Sequence, residues 1–168
     1  NNDATHDSTP PRADLGQNGG KGVDVGSGGS AVVCRDGTNK IQSVQLLDLY
    51  EADKELGLTS AAPGEVTSED HARRMILRLS QANALYTGAP SELDTVIARK
   101  RVLDASVRLK TINDKFPVIE PKDCKIEQLA NYRSDGVVLI DGELWPRLDT
   151  FNRAALYAHE AIYKVVRT

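Results

Sequence analysis

The side chains most able to carry out chemistry stand close together near the end of this sequence: His159, Glu160 and Tyr163. A histidine and the residue four places later share one helix face, because a turn takes about 3.6 residues. In the pattern His-Glu-x-x-His, two imidazoles bind zinc and the glutamate activates a bound water. Here a phenol, with an unperturbed pKa of about 10, replaces the second imidazole. One hypothesis is therefore a metal site with His159 as ligand, Glu160 as general base and Tyr163 as ligand or oxyanion donor.

Two hypotheses without metal use the same residues. In the first, the helix is a core element: His159 donates to a strand carbonyl, Tyr163 packs inward with its hydroxyl satisfied, and Glu160 pairs with Arg153 or Lys164. In the second, His159 and Glu160 form an acid/base pair in a cleft. A single histidine beside an apolar stripe is more often a core residue than a ligand, so we favour the first.

The helix that carries these residues is expected to begin at Asp149 or Thr150 and to run to the last residue. Its apolar positions recur at helical spacing and define one stripe. The stripe consists of Phe151, Ala155, Ala158, Ile162 and Val165, with His159 and Val166 at its edge.

The segments before this helix alternate between strand and helix patterns. A β-branched hairpin with a turn at Asp36-Gly37 comes first, and strand patterns return over residues 122–146. Three helices are expected between them, and each begins at a capping residue. They run from Ser43 to Gly57, from Thr67 (with Asp70 three residues on) to Gly88, and from Ser91 to residue 112. The last two should form a helical hairpin. The expected fold is α+β, with a small antiparallel sheet and three longer helices.

The strand-then-helix order around "GVVLIDGELW", Pro146 and "RAALYAHE" resembles that of zincin-like metallopeptidases. The resemblance implies that His159 binds zinc and that Glu160 is the general base. Those families take a third ligand from beyond the helix, whereas only eight residues follow Glu160 here. The remaining ligands would have to come from upstream, with His71, Asp141 and Glu143 as the candidates.

A second resemblance covers residues 31–168. The segments "VVCRDGTNKIQSVQLLDLYEA", "CKIEQLANY" and "LDTFNRAALYAHEAIYKVVR", in this order, are similar to a family of uncharacterised exported proteins of Gram-negative bacteria. These proteins share the cysteine-bearing segments and a helix with a His-Glu-x-x-Tyr core. The resemblance implies an exported location and a chain that continues past Thr168, and it implies no activity.

Composition indicates one soluble domain after a polar leader. The chain has 168 residues, a net charge of −3 and 40% hydrophobic residues, which argues against nucleic acid as a partner. No apolar run approaches the roughly 18–20 residues that cross a bilayer. Residues 1–30 are Gly-rich and almost without apolar side chains, so we expect a flexible leader, with a single globular domain over residues 31–168. The missing initiator methionine favours removal of an export signal, with simple trimming as the alternative.

The two cysteines, Cys34 and Cys124, lie far apart in the sequence. In an oxidising compartment they should form a disulfide; the alternative is two buried free thiols. Their spacing fits no zinc signature. The sequence thus favours a periplasmic or secreted envelope protein with a binding or structural role and an envelope protein or polymer as partner. No cofactor is expected under this hypothesis. The alternative is a zincin-like or degenerate hydrolase that contains zinc.

Overall fold

The computed structural model describes residues 13–15, 29–56, 66–109 and 123–167. Within these ranges the fold is α+β, as the sequence predicts. The elements, in chain order, are β1 (Ala13–Leu15), β2 (Ser30–Arg35), β3 (Ile41–Leu46), α1 (Leu47–Leu56), α2 (Ser68–Ala82), α3 (Ala89–Arg99), β4 (Arg101–Val102), β5 (Val107–Leu109), β6 (Cys124–Gln128), β7 (Ala130–Tyr132), β8 (Val138–Ile140) and α4 (Thr150–Arg167).

The first sheet is antiparallel and has the strand order β3-β2-β6. The predicted hairpin of β2 and β3 is confirmed. Its turn is organised by Asp36, whose Oδ1 accepts hydrogen bonds from the N–H groups of Thr38 at 2.8 Å and Lys40 at 3.0 Å. Asn39 takes the left-handed conformation, with φ of 65°, which asparagine tolerates better than most residues. The carboxylate therefore closes a turn longer than the Asp36-Gly37 pair alone.

The predicted helix start at Ser43 is wrong, because residues 43–46 are the end of β3. Val44 and Leu46 are 8% and 1% exposed, whereas Ser43 is exposed. This alternation has the period of two that a half-buried strand requires. Pairing with β2 supplies the backbone hydrogen bonds here, so the tertiary environment overrides the helical spacing of the same apolar residues.

The second sheet has the order β4-β8-β7, with β4 parallel to β8 and β7 antiparallel to it. Strand β4 and the following β5 lie where the sequence predicts a continuing helix, and that prediction is wrong beyond Arg99. Lys100 is already extended, with φ of −60° and ψ of 143°. Asp104 Oδ1 then accepts from the N–H and the hydroxyl of Ser106. Such side-chain turns compete with helical hydrogen bonds, and the β-branched flanks pair as strands.

Strand β1 lies inside the segment predicted to be a flexible leader. It pairs in parallel with β5, with Ala13 opposite Val107 and Leu15 opposite Leu109. The rest of the leader up to residue 28 lies outside the described residues. The next described residue is Gly29, two residues before the expected domain boundary.

Helices α2 and α3 pack against each other, as predicted. The expected cap of α2 is confirmed, because the Thr67 hydroxyl accepts a hydrogen bond from the Asp70 N–H at 3.1 Å. The cap expected at Ser91 is wrong. Helix α3 begins two residues earlier, with Pro90 in its first turn, where a missing N–H costs nothing.

Helix α4 begins at Thr150, as predicted, and packs against α2, α3 and β3. Its buried surface is wider than the predicted stripe. Ala154, Leu156, Tyr157, Glu160 and Ala161 are each at most 1% exposed, whereas Phe151, Ile162 and Val165 are only half-buried. A helix that is covered by several elements buries residues over a large part of its circumference, so a single apolar stripe at helical spacing predicts too few of its buried residues. In the part of the chain described, no helix is long and apolar enough to cross a membrane.

Candidate functional site

Three hydrogen bonds lie at the start of α4, and one of them connects this helix to the residue before α1. Asp149 Oδ1 accepts from the backbone N–H of Asn152 at 2.7 Å and from its side-chain amide at 2.8 Å, which caps the helix. The Asn152 side-chain oxygen, 8% exposed as a residue, accepts from the backbone N–H of Leu46 at 2.8 Å. Since Leu46 directly precedes α1, this contact brings the first turn of α1 alongside α4.

The first turn of α1 provides the partner of His159. Asp48 Oδ2 lies 2.5 Å from Nδ1 of His159. The imidazole is mostly buried, with 26% of the side chain exposed, and the carboxylate is 55% exposed. The predicted hydrogen bond from His159 to a strand carbonyl is therefore wrong: the partner is a carboxylate on a helix, which fixes the orientation of the ring.

This contact changes the protonation behaviour of both groups. Burial lowers the pKa of His159, but the hydrogen bond and negative charge of Asp48 together outweigh burial and raise that pKa above its usual value. The hydrogen bond from His159 lowers the pKa of Asp48 below its usual value. The pair thus favours imidazolium next to carboxylate.

Glu160 lies on the other side of α4 and is 1% exposed. Its Oε1 accepts a hydrogen bond from the backbone N–H of Gly29 at 3.1 Å. The Gly29 carbonyl in turn accepts from the N–H groups of Leu129 and Ala130, both at 3.0 Å. Glu160 thus connects α4 to the point where β2 begins and β6 meets β7. The predicted pairing with Arg153 or Lys164 is wrong, since these side chains contact Trp145 and Glu92 instead.

The environment of Glu160 disfavours its charged form. Burial raises the pKa of this carboxyl, against smaller opposing effects of the His159 charge and the Gly29 hydrogen bond. Within the described ranges its Oε2 has no hydrogen-bond partner. An unpaired buried charge is costly in an apolar environment, which is the physical reason that burial raises this pKa.

Tyr163 stands one turn after His159 on α4. The two rings are parallel within 7°, with centroids 6.2 Å apart, and the Arg167 guanidinium lies 4.2 Å from the Tyr163 ring centroid. Two buried polar atoms, the Tyr163 hydroxyl and His159 Nε2, have no hydrogen-bond partner among the described residues. A buried polar atom without a hydrogen-bond partner costs about 1–3 kcal/mol. A hydrogen bond from outside the described residues would therefore stabilise each of these two atoms.

His159 and Tyr163 line an apolar groove of about 390 Å³ between α1, α2 and α4. Its polar groups are Asp48, His159 and Tyr163. The rest of the lining is apolar and consists of Leu46, Met75, Ala155, Ala158, Ile162 and Val166. We call this cavity the α4 groove. Predominantly apolar walls with a few placed polar groups are typical of small-ligand sites, and the volume lies within their range of about 300–1,000 Å³.

The further metal-ligand candidates have other contacts. His71 packs against Phe151, with ring centroids 5.6 Å apart. Asp141 Oδ1 accepts from the N–H of Glu143 at 2.9 Å, and the Glu143 carboxylate pairs with Arg35 at 3.1 Å. Among the described residues, no group of three or more His, Cys, Asp or Glu side chains could hold a metal ion. The donors placed here therefore do not fit a zinc site with three protein ligands.

The predicted disulfide between Cys34 and Cys124 is confirmed. The two residues face each other in the register of β2 and β6, and their Cα atoms are 4.0 Å apart. The bond links β2 to β6 at the end of the sheet where β2 leads into its hairpin turn. It lies in the first sheet, away from the lining of the α4 groove.

A second cavity, also of about 390 Å³, lies at the hairpin turn and is lined by both charged and apolar residues. Arg35 lines it and forms hydrogen bonds to both Glu127 carboxylate oxygens, at 3.0 and 3.2 Å, and to Glu143 at 3.1 Å. The guanidinium charge is thus compensated within the fold. Lys40 and Arg147 are the remaining basic residues of the lining.

Sequence reasoning missed three residues of the site: Asp48, Asn152 and Gly29. No local spacing connects Asp48 with His159 or Gly29 with Glu160, since the pairs are 111 and 131 residues apart. Asn152 follows Asp149 by three residues at a helix start, a pattern that signals a cap but not the contact with Leu46. Only the tertiary fold, which brings Asp48 and Gly29 to α4, assembles these pairs.

Comparison with known proteins adds no constraint on function. No protein-family model, no curated protein and no solved structure matches the chain.

Proposed function

We propose that this chain is an exported protein of the bacterial cell envelope that acts by binding, and that the α4 groove is its binding site. The observation that carries this proposal is the groove itself: six apolar side chains surround a fixed Asp48–His159 pair and the Tyr163 hydroxyl. Such a site suits a ligand that buries apolar surface and places a polar group beside the pair.

Export is supported by the disulfide between Cys34 and Cys124, since such bonds persist in oxidising compartments. Fractionation of cells that express the natural gene tests this part. Recovery with the periplasmic or secreted fraction is expected, and recovery with the cytoplasm would refute export.

Binding is favoured over hydrolysis by the contacts of Glu160. A general base must reach the water or proton on which it acts, whereas Glu160 accepts a backbone hydrogen bond in the core and is 1% exposed. The histidine beside it faces a different partner. The two residues thus serve different surfaces of α4.

One feature favours a metal-dependent hydrolase as the second candidate. A carboxylate that holds Nδ1 of a histidine leaves Nε2 for a metal, as is common around zinc, and Asp48 holds His159 in this way. Elemental analysis of the wild type and of His159→Ala separates the candidates. Near-stoichiometric zinc that disappears in the variant would favour the hydrolase and contradict our proposal.

The groove is tested with an environment-sensitive apolar fluorophore and two matched charge substitutions. Val166 lines the groove and is 56% exposed, and Leu85 is 61% exposed outside it. Val166→Asp should weaken fluorophore binding at least about tenfold, because a carboxylate must lose water in an apolar site. Leu85→Asp should leave binding unchanged. Equal affinity of both variants and the wild type would show that the fluorophore does not occupy the α4 groove.

A further inference from the structure

The polar end of the α4 groove indicates what kind of ligand head group it receives. Three groups stand one turn apart along α4: the His159 imidazole, the Tyr163 phenol and the Arg167 guanidinium. Within the described ranges, the Tyr163 hydroxyl and His159 Nε2 are buried without a hydrogen-bond partner. The protein therefore presents hydrogen-bonding capacity here that a ligand could satisfy.

The charges around this end are unequal. Among the described residues, Asp48 is the acidic side chain that lines the groove, and it is already paired with His159. Glu160, the carboxyl next to His159 on α4, faces the core and accepts the hydrogen bond from Gly29. Arg167 contacts the Tyr163 ring, and no ion pair to it is found among the described residues. The Arg167 guanidinium is therefore a positive charge that an anionic head group would complement.

The apolar end requires a different chemistry. Leu46, Met75 and Ile162 provide hydrophobic walls, and Ala155 and Ala158 leave room between them because their side chains are short. An unbranched alkyl chain would exclude water from these walls, and the flexible Met75 side chain can adapt its shape to such a chain. A compact, fully polar ligand would leave these apolar walls exposed to water.

We propose that the α4 groove binds an alkyl chain that ends in a carboxylate, with the carboxylate accepting hydrogen bonds from Tyr163 and His159 and lying near Arg167. This inference rests on the proposed function, because it assigns a ligand class to the same groove. The alkyl chain lies along the apolar walls. Asp48 acts as a positioning residue that holds the imidazole ring.

The test is displacement of the apolar fluorophore by laurate below its micellar concentration and by lauryl alcohol below its solubility limit. Laurate should bind at least about tenfold more tightly than the alcohol, as expected for a hydrogen-bonded charged head group. Tyr163→Phe keeps the ring and removes the hydroxyl, and it should reduce this preference several-fold. Tyr86→Phe is the matched control outside the groove and should leave the preference unchanged. Thermal unfolding of both variants verifies that each is folded.

The outcomes separate this inference from the proposed function. Equal affinity for laurate and the alcohol, or a preference that survives Tyr163→Phe, would overturn the carboxylate assignment and leave an apolar binding groove. The carboxylate assignment is also overturned if Val166→Asp weakens fluorophore binding, which places the fluorophore in the groove, and laurate does not displace it. If the fluorophore fails that criterion and laurate does not bind, the proposed function and this inference both fail.

Discussion

Substitution of Glu160 provides the sharpest test of our inference that this carboxyl stabilises the fold and is not a catalytic base. Glu160→Ala removes the acceptor of the Gly29 N–H, and an unsatisfied buried donor costs about 1–3 kcal/mol. The lost side-chain contacts and the resulting cavity add about 2 kcal/mol. The total of about 3–5 kcal/mol should lower the Tm by about 10 °C or more.

Glu160→Gln retains an acceptor oxygen for Gly29 but cannot ionise, so it isolates the effect of charge. The unfolded carboxyl has a pKa near 4.5, and burial raises the pKa in the folded protein. The stability that Glu160 contributes is therefore fully present below about 4.5, and it is lost as the pH rises through the folded pKa. The difference in free energy of unfolding between Glu160→Gln and the wild type should shift in favour of the variant as the pH rises.

Urea unfolding with the disulfide intact, followed by circular dichroism from about pH 5 to about pH 8, measures this difference. The charge of His159 also affects the pKa of Glu160, so the same pair is compared in a His159→Gln background, where the effect of Glu160 should persist. Glu92→Gln is the control, since it makes the same substitution at a partly exposed carboxylate that is paired with Lys164. The structural assignment is refuted if Glu160→Gln and the wild type have parallel pH profiles, or if Glu160→Ala is as stable as the wild type.

Three further predictions follow from other contacts. The Asp48–His159 pair should stabilise the fold by up to about 1 kcal/mol, given the exposure of Asp48. This contribution is fully present between the two unfolded pKa values of about 3.8 and 6.5. It is lost at lower pH because Asp48 becomes protonated, and at higher pH because His159 loses its proton. A double-mutant cycle against Asp48→Asn and His159→Gln should show this coupling at about pH 5.5 and a smaller one at about pH 9. Thiol titration of denatured, unreduced protein should find no free thiol, and two free thiols would contradict the disulfide. The double substitution Cys34→Ser and Cys124→Ser should lower the free energy of unfolding, measured in urea, by about 4 kcal/mol, because the bond joins residues that are 90 positions apart and closes a long loop. Asn152→Ala should cost about 1–3 kcal/mol in thermal unfolding and also weaken the Asp48–His159 coupling, whereas an unchanged coupling would show that this contact does not position α1.

Much of the fold could be predicted locally, and the errors have a common cause. The hairpin, the Thr67 cap and the start of the last helix follow from turn and capping chemistry, which acts over a few residues. The strand at 43–46 and the helix end at Arg99 were missed, because both depend on partners distant in sequence. Apolar residues can satisfy helical and strand spacing at once, and sheet pairing decides between them.

The sequence by itself determined the chemical inventory of this protein: one His-Glu-x-x-Tyr segment with helical spacing, and two cysteines that each have one possible partner within the chain. Tertiary structure alone decided which side chains of that helix act together. Consecutive helical residues point about 100° apart, so His159 meets Asp48 in a groove while Glu160 meets Gly29 in the core. The hydrogen bond that Asn152 makes to Leu46 brings α1 to the groove. Such pairings depend on contacts across more than 100 residues, which no local pattern encodes.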